Sequence, residues 1–228
     1  MVALDFQGKS VAFSGDSRTY GYNASTLGNR WSSLISAERN GQENNLGHPG
    51  QYMQSANGNN AVDYTTIPQK VQNGGAKYIF VNYGTNDSKD PDTTTFTRDA
   101  FKIRYRAMLE YLNGTKGWDY ASIILTTINY FPLMDTNGIR ARVIDYNAAV
   151  RELALEKNTI FLDPFTYTDG LSNKVALFDT DGIHELDAGH RVDANFFEAA
   201  DYTPINGFPV VPDPIQSLLV THGNFIAA

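Results

Sequence analysis

Val11-Ala12-Phe13-Ser14-Gly15-Asp16-Ser17 is an apolar run that ends in Gly-Asp-Ser, and a polar turn containing Gly21 follows it. The run predicts a first strand over residues 10–14. That strand would present the Ser17 hydroxyl at the mouth of a sheet, where a nucleophile would stand. Taken alone, Ser17 fits a helix cap equally well, and capping is a common use of serine.

Outward from this strand, apolar runs and helical periodicities alternate. Trp31, Leu34 and Ile35 share one helical face. Residues 40–60 are rich in Asn and Gly, and most of them are expected to be loop or turn. Residues 76–82 (AKYIFVN) and 122–129 (SIILTTIN) are apolar nearly throughout, as strands covered on both faces are. Phe101, Tyr105, Met108 and Leu112 recur at helical spacing, as do Val143, Tyr146, Val150 and Leu153. Residues 159–162 predict a short strand and residues 187–200 a final helix. Strands separated by helices imply right-handed crossovers, hence an α/β fold with a parallel sheet and helices on both faces. Ligands of such sheets bind beyond the carboxyl ends of the strands. Gly15-Asp16-Ser17, Gly84-Thr85-Asn86-Asp87 and the turn Asn129-Tyr130-Phe131 fall there. After about Asp201 the pattern changes. Pro204, Pro209, Pro212 and Pro214 interrupt it, leaving one apolar run at residues 217–220. The expected organisation is one domain over residues 1–200 and an appendage, a packing arm or linker, over 201–228.

Composition narrows the function. With 228 residues, 42% of them hydrophobic and 19% charged, the chain can bury one sizeable core. A net charge of −7 argues against a nucleic-acid binder, which would carry a basic stripe. The absence of cysteine excludes disulfides, thiolate metal sites and a cysteine nucleophile. No apolar run reaches 18 residues, so no membrane span is expected. Residues 1–6 lack the basic and apolar regions of a signal peptide. An Asn-, Thr-, Gly- and Tyr-rich, Lys-poor composition favours a secreted, virion or cell-surface setting.

A serine hydroxyl needs a base, usually a histidine oriented by a third group. The four histidines are His48, His184, His190 and His222. Asp181 precedes His184 by three positions, so one turn of chain can bring its carboxylate to the imidazole Nδ1 and leave Nε2 for Ser17. His190 is expected on the following helix, away from the site. An arbitrary Asp-x-x-His is more often a polar loop before a helix, so the motif gains weight only in combination. Asn86, after the 76–82 strand, offers an uncharged donor for a developing oxyanion. Gly47 and Gly50, within Asn45-Leu46-Gly47-His48-Pro49-Gly50-Gln51, offer close backbone approach. Each turn is also an ordinary use of Gly, Asn and Asp. Position 19 is Thr, so the Gly-x-Ser-x-Gly elbow is absent. The chain also has no P-loop, no Gly-x-Gly-x-x-Gly and no His-Glu-x-x-His. Asp179, Asp181 and Asp187 lack the spacing of an EF-hand loop.

In chain order, the four blocks Gly15-Asp16-Ser17, Gly50 within residues 45–51, Gly84-Thr85-Asn86-Asp87 and Asp181-Gly182-Ile183-His184 resemble those of the SGNH hydrolases, the GDSL-like esterase and lipase superfamily, and the resemblance covers residues 8 to about 200. The resemblance implies a flavodoxin-like three-layer α/β/α sandwich and ester hydrolysis through an acyl-enzyme. It makes Ser17 the nucleophile, His184 the general base and acid, and Asp181 its orienting partner. The oxyanion hole would comprise the Ser17 amide, the Gly50 amide and the Asn86 side chain. His48-Pro49 departs from the small or apolar residues usual before that glycine, which leaves Gly47 as the alternative. No cofactor or metal is implied. The expected substrate is a small acyl ester or an acetylated glycan. Tyr20, Tyr22, Tyr52, Tyr83 and Tyr130 fall near the presumed site, where their rings could stack on sugars or equally be core or rim aromatics, and with the polar loops they favour an O-acetylesterase acting on a carbohydrate. The alternatives are a lipase, lysophospholipase or thioesterase of the same family, and a receptor- or glycan-binding surface module.

Overall fold

The computed structural model describes residues 6–54, 59–70, 76–136 and 138–205. Five strands, β1 (Ser10–Gly15), β2 (Gln42–Asn45), β3 (Tyr78–Asn82), β4 (Ile123–Thr126) and β5 (Ile160–Leu162), form one sheet. Every pairing is parallel and the order is β2-β1-β3-β4-β5. The helices are α1 (Ser17–Tyr20), α2 (Trp31–Glu38), α3 (Thr85–Lys89), α4 (Arg98–Gly114), α5 (Ile139–Lys157), α6 (Pro164–Asp169) and α7 (Asp187–Ala199).

Side chains alternate across a strand, so each apolar run supplies both faces of the sheet. Ala12, Ile79, Val81, Ile123 and Leu125 meet Phe101, Tyr105 and Met108 of α4 and Val143, Tyr146 and Val150 of α5. Val11, Phe13, Phe80, Ile124 and Ile160 meet Trp31 and Ile35 of α2 and Ala194, Phe196 and Phe197 of α7. Two helical layers thus enclose the sheet, and the expected three-layer α/β/α sandwich is present. The strand order is the flavodoxin-like one. Its switch point lies at the carboxyl ends of β1 and β3, which is where such folds bind ligands.

β2 departs from the sequence reading, which took residues 40–60 as mostly loop. Its sequence is Gln-Glu-Asn-Asn, with no apolar residue to signal a strand. It forms on the sheet edge because its polar side chains find partners on neighbouring helices. Glu43 Oε1 and Oε2 accept from Arg30 Nε and Nη2 at 2.9 and 2.7 Å, and from the Ser32 and Ser33 hydroxyls. Asn45 Nδ2 donates to the Thr19 carbonyl at 2.6 Å. β4 is also shorter than expected: the Thr127 amide still donates to Leu162 O of β5 at 3.1 Å, and the chain turns out of the ladder at Ile128. The Ile128 amide donates there to Asn147 Oδ1 of α5 at 2.7 Å.

The start of the expected appendage packs on the domain. Tyr202 is buried and its hydroxyl donates to the Phe197 carbonyl, while the Ile205 amide donates to Thr159 O at 3.1 Å. Pro209, Pro212, Pro214 and the 217–220 run lie outside the described residues.

Candidate active site

The first block is built by the exit from β1. Asp16, in an extended conformation, caps α1, and its Oδ1 accepts from the Arg18 amide at 3.0 Å. The capping role that alone could explain Ser17 is therefore taken by its neighbour. Ser17 opens α1 with its hydroxyl 2.8 Å from His184 Nε2.

The loop carrying His184 is held at both ends. Phe178 and Glu185 form an antiparallel bridge, and the Asp179 amide donates to His184 O at 2.9 Å. Inside it, Asp181 Oδ1 accepts from the amides of Ile183 and His184 at 2.8 and 3.0 Å. That leaves Oδ2 to meet His184 Nδ1 at 2.5 Å. Burial pushes the Asp181 carboxyl up, but the hydrogen bonds from His184 and the two amides outweigh it and hold the group below its ordinary value. With an ionised carboxylate on one side, the neutral imidazole carries its proton on Nδ1, and Nε2 accepts from the Ser17 hydroxyl. Tyr22 lies against the imidazole, ring centroids 4.6 Å apart.

The β3 exit supplies the third block. Gly84 sits at φ +121°, a conformation L side chains rarely adopt, and α3 begins directly after it. Asn86 in its first turn is 9% exposed, and its Nδ2 donates to Gln51 O at 2.7 Å. An amide nitrogen has two hydrogens, so one remains for a ligand. Asp87 beside it is fully buried and accepts from the Met53 and Gln54 amides at 2.9 and 2.8 Å. Burial outweighs those two bonds and pushes its carboxyl up to about 7. α3 thereby clamps the segment after Gly50.

The two candidate glycines separate on geometry. The Gly47 amide donates to Asn45 Oδ1 at 2.9 Å, and a Cβ there would stand 2.3 Å from Tyr20 N. Gly47 lets this loop pack against α1. Gly50 is exposed, at φ +74°, and a Cβ there would meet nothing within 4 Å.

Of the five tyrosines expected near the site, Tyr83 and Tyr130 are core residues at 1% and 0% exposure. Tyr52 is half-buried, and Tyr20 and Tyr22 are exposed, Tyr22 at 47%. His190 is buried on α7, His48 is exposed, and His222 lies outside the described residues. Among the described residues, no three His, Asp or Glu are grouped as metal ligands would be, and no helix is long and apolar enough to cross a membrane.

Two charged residues escaped the sequence reading. Arg18 and Glu185, each one position beyond Ser17 and His184, form a buried ion pair. Arg18 Nε donates to Glu185 Oε1 at 2.7 Å, and Nη2 meets the same oxygen. Adjacency to the two motifs was the only signal available in the sequence.

A parallel α/β sheet that carries a serine, a histidine and a carboxylate in hydrogen-bonded series at its switch point is the arrangement of a serine hydrolase. The chain belongs to the GDSL-like lipase/acylhydrolase family, whose model matches residues 13–192, and the family's ester-hydrolysing chemistry comes with that membership. No curated protein sequence matches it. Similar solved structures include a lipase/acylhydrolase from Enterococcus faecalis, with 16% identity and a TM-score of 0.65, covering 82% of this chain and 92% of that one. A Lactobacillus plantarum protein has 22% identity and a TM-score of 0.63, covering 96% and 99%. Axe2-W215I, an acetyl xylan esterase from Geobacillus stearothermophilus, has 21% identity and a TM-score of 0.60, covering 85% and 94%. At these identities the likeness is one of fold.

Proposed function

We propose that this protein is a serine esterase that removes O-acetyl groups from a carbohydrate through an acyl-enzyme on Ser17. The observation that carries the reading is the unbroken series Ser17 Oγ to His184 Nε2 at 2.8 Å and His184 Nδ1 to Asp181 Oδ2 at 2.5 Å. Ser17 Oγ attacks the ester carbonyl as His184 takes its proton, and Asp181 stabilises the imidazolium. The amides of Ser17 and Gly50 and the Asn86 side chain receive the oxyanion. His184 returns the proton to the leaving alcohol. Water then attacks the acyl-enzyme with His184 again as base, and Ser17 leaves with its proton restored.

The preference for an acetylated glycan rests on the rim. Tyr22 is exposed and in contact with His184, and a ring so placed can cover a sugar face; Tyr20, three residues after Ser17, is also exposed. Asn23 and Asp179, joined at 2.8 Å, add hydrogen-bonding groups to the same side. An acetyl xylan esterase among proteins of similar fold is in keeping with this choice. Acetate release from acetylated polysaccharides, set against hydrolysis of long-chain acyl esters, tests it. Faster acetate release is expected, and dominant long-chain activity would refute the substrate class.

A further inference from the structure

Arg18 does more than pair with Glu185. Its Nη1 donates to Asn129 O at 3.0 Å and its Nη2 to Tyr130 O at 3.2 Å. The guanidinium also lies 5.9 Å from the Phe131 ring centroid and 5.7 Å from that of Phe178. One side chain thus joins α1 directly after β1, the turn after β4 and the loop that carries His184. Side-chain exposure of the pair is only 4% for Arg18 and 2% for Glu185.

Stability is a poor reason for such a pair. Burying two charges carries a large desolvation penalty, and apolar residues of similar volume commonly do as well or better. The family name spells leucine where this chain has Arg18. A leucine would pack against Phe131 and Phe178 with no charge to desolvate. Glu185 Oε2, moreover, is buried with no hydrogen-bond partner. What the pair supplies that leucine cannot is direction. A planar fork with several fixed donors specifies the relative position of the loops it bridges.

We propose that Arg18 and Glu185 are positioning residues that set the distance between Ser17 Oγ and His184 Nε2. The proposal rests on the reading of Ser17 and His184 as nucleophile and base. Each member of the pair is one residue from a reacting group, and displacement of reacting groups by about 1 Å can cost about 10²-fold in rate.

The test uses Arg18→Leu, Glu185→Gln, Arg18→Lys and the double variant Arg18→Leu/Glu185→Leu. For each, Tm, kcat and KM on p-nitrophenyl acetate and the rate and amplitude of Ser17 labelling by a fluorophosphonate are measured well below Tm. The single variants leave a charge buried alone and are expected to lose stability. The double variant removes both charges but also takes the Arg18 donors from the Asn129 and Tyr130 carbonyls, so its Tm is expected above those of the single variants and below wild type. Its kcat is expected to stay about 10²-fold low with KM within threefold, and its labelling to be slower by a similar factor at full amplitude. Arg18→Lys, which can hold Glu185 but not both carbonyls as well, is expected to fall between. A purely structural role would instead lower labelling amplitude in step with the folded fraction and leave the rate constant alone. A double variant with wild-type kcat and labelling rate overturns the proposal. If wild-type Ser17 is itself unlabelled, the reading of the site falls first, and the positioning role falls with it.

Discussion

Asn86 is asked to do two things, and replacing it separates them. Its Nδ2 holds Gln51 O at 2.7 Å, which fixes the segment following Gly50, and its second N–H is the proposed oxyanion donor. Asn86→Ala removes both. Loss of one oxyanion donor lowers kcat by about 10²–10³-fold, or about 2.7–4 kcal/mol of transition-state stabilisation. Loss of the hydrogen bond to Gln51 costs about 1–3 kcal/mol of stability if that carbonyl is left without a donor. Because Asp87 still clamps the Met53 and Gln54 amides, the segment after Gln51 is expected to stay in place. Steady-state hydrolysis of p-nitrophenyl acetate with a parallel thermal melt therefore gives two readings. The expected result is a kcat down by at least 10²-fold, a KM changed by less than threefold and a modest fall in Tm. Asn86→Asp keeps the shape but has no hydrogen to donate, and is expected to be at least as slow. A kcat within twofold of wild type in Asn86→Ala would refute the oxyanion assignment whatever happened to Tm.

The remaining expectations are shorter. Asp181→Asn should keep its oxygen on the Ile183 and His184 amides and turn its NH₂ toward His184 Nδ1, which moves the imidazole proton to Nε2; a kcat loss of about 10⁴-fold is expected with Tm little changed, and a loss under tenfold would contradict the relay. Burial and the nearby Glu185 push the Asp193 carboxyl up to about 8, while Asn129 Nδ2 donates to its Oδ1 at 2.5 Å. Between the ordinary carboxylate value and about 8 the folded state holds a proton there that the unfolded state has lost, so this group makes stability fall as pH rises through that window. Asp193→Asn, which mimics the protonated acid, should therefore raise Tm relative to wild type at pH 8.5 and leave it unchanged near pH 4; a constant difference across that range would argue against a protonated Asp193. Gly47→Ala should lower Tm markedly, since its Cβ would stand 2.3 Å from Tyr20 N; Gly50→Ala meets no atom and should cost only the left-handed backbone, about 1–2 kcal/mol, with denaturant melts as the check.

The sequence carried much of this fold because buried parallel strands are written as apolar runs. β1, β3, β4 and β5 are such runs, and their alternation with amphipathic segments leaves few topologies. β2 was hidden because an edge strand held by Arg30, Ser32 and Ser33 needs no apolar residue. Ser17, Asn86, Asp181 and His184 were legible because each sits in a short motif at a strand or loop end, and the structure brings Ser17, Asp181 and His184 together. Gly50 was preferred over Gly47 only through its place in the motif, since both read as turn glycines; the structure adds that Gly47 is packed against Tyr20 and Gly50 is open. Whether Tyr83 and Tyr130 were site or core aromatics was open in the sequence for a related reason. A strand-end tyrosine can face either the rim or the core, and these two face the core. The Arg18–Glu185 pair joins positions 167 residues apart, a relation that exists only once β1 and the His184 loop have been brought to the same end of the sheet.

The central claim, that Ser17 is the residue acylated during turnover, has a direct measurement. The protein is incubated with a fluorophosphonate and with a slowly hydrolysed acyl ester, digested, and mapped by mass spectrometry. Both adducts are expected on Ser17, at one per chain, with none on Ser17→Ala and a strong reduction in His184→Ala. An adduct on any other residue, or full ester hydrolysis by Ser17→Ala, would contradict it.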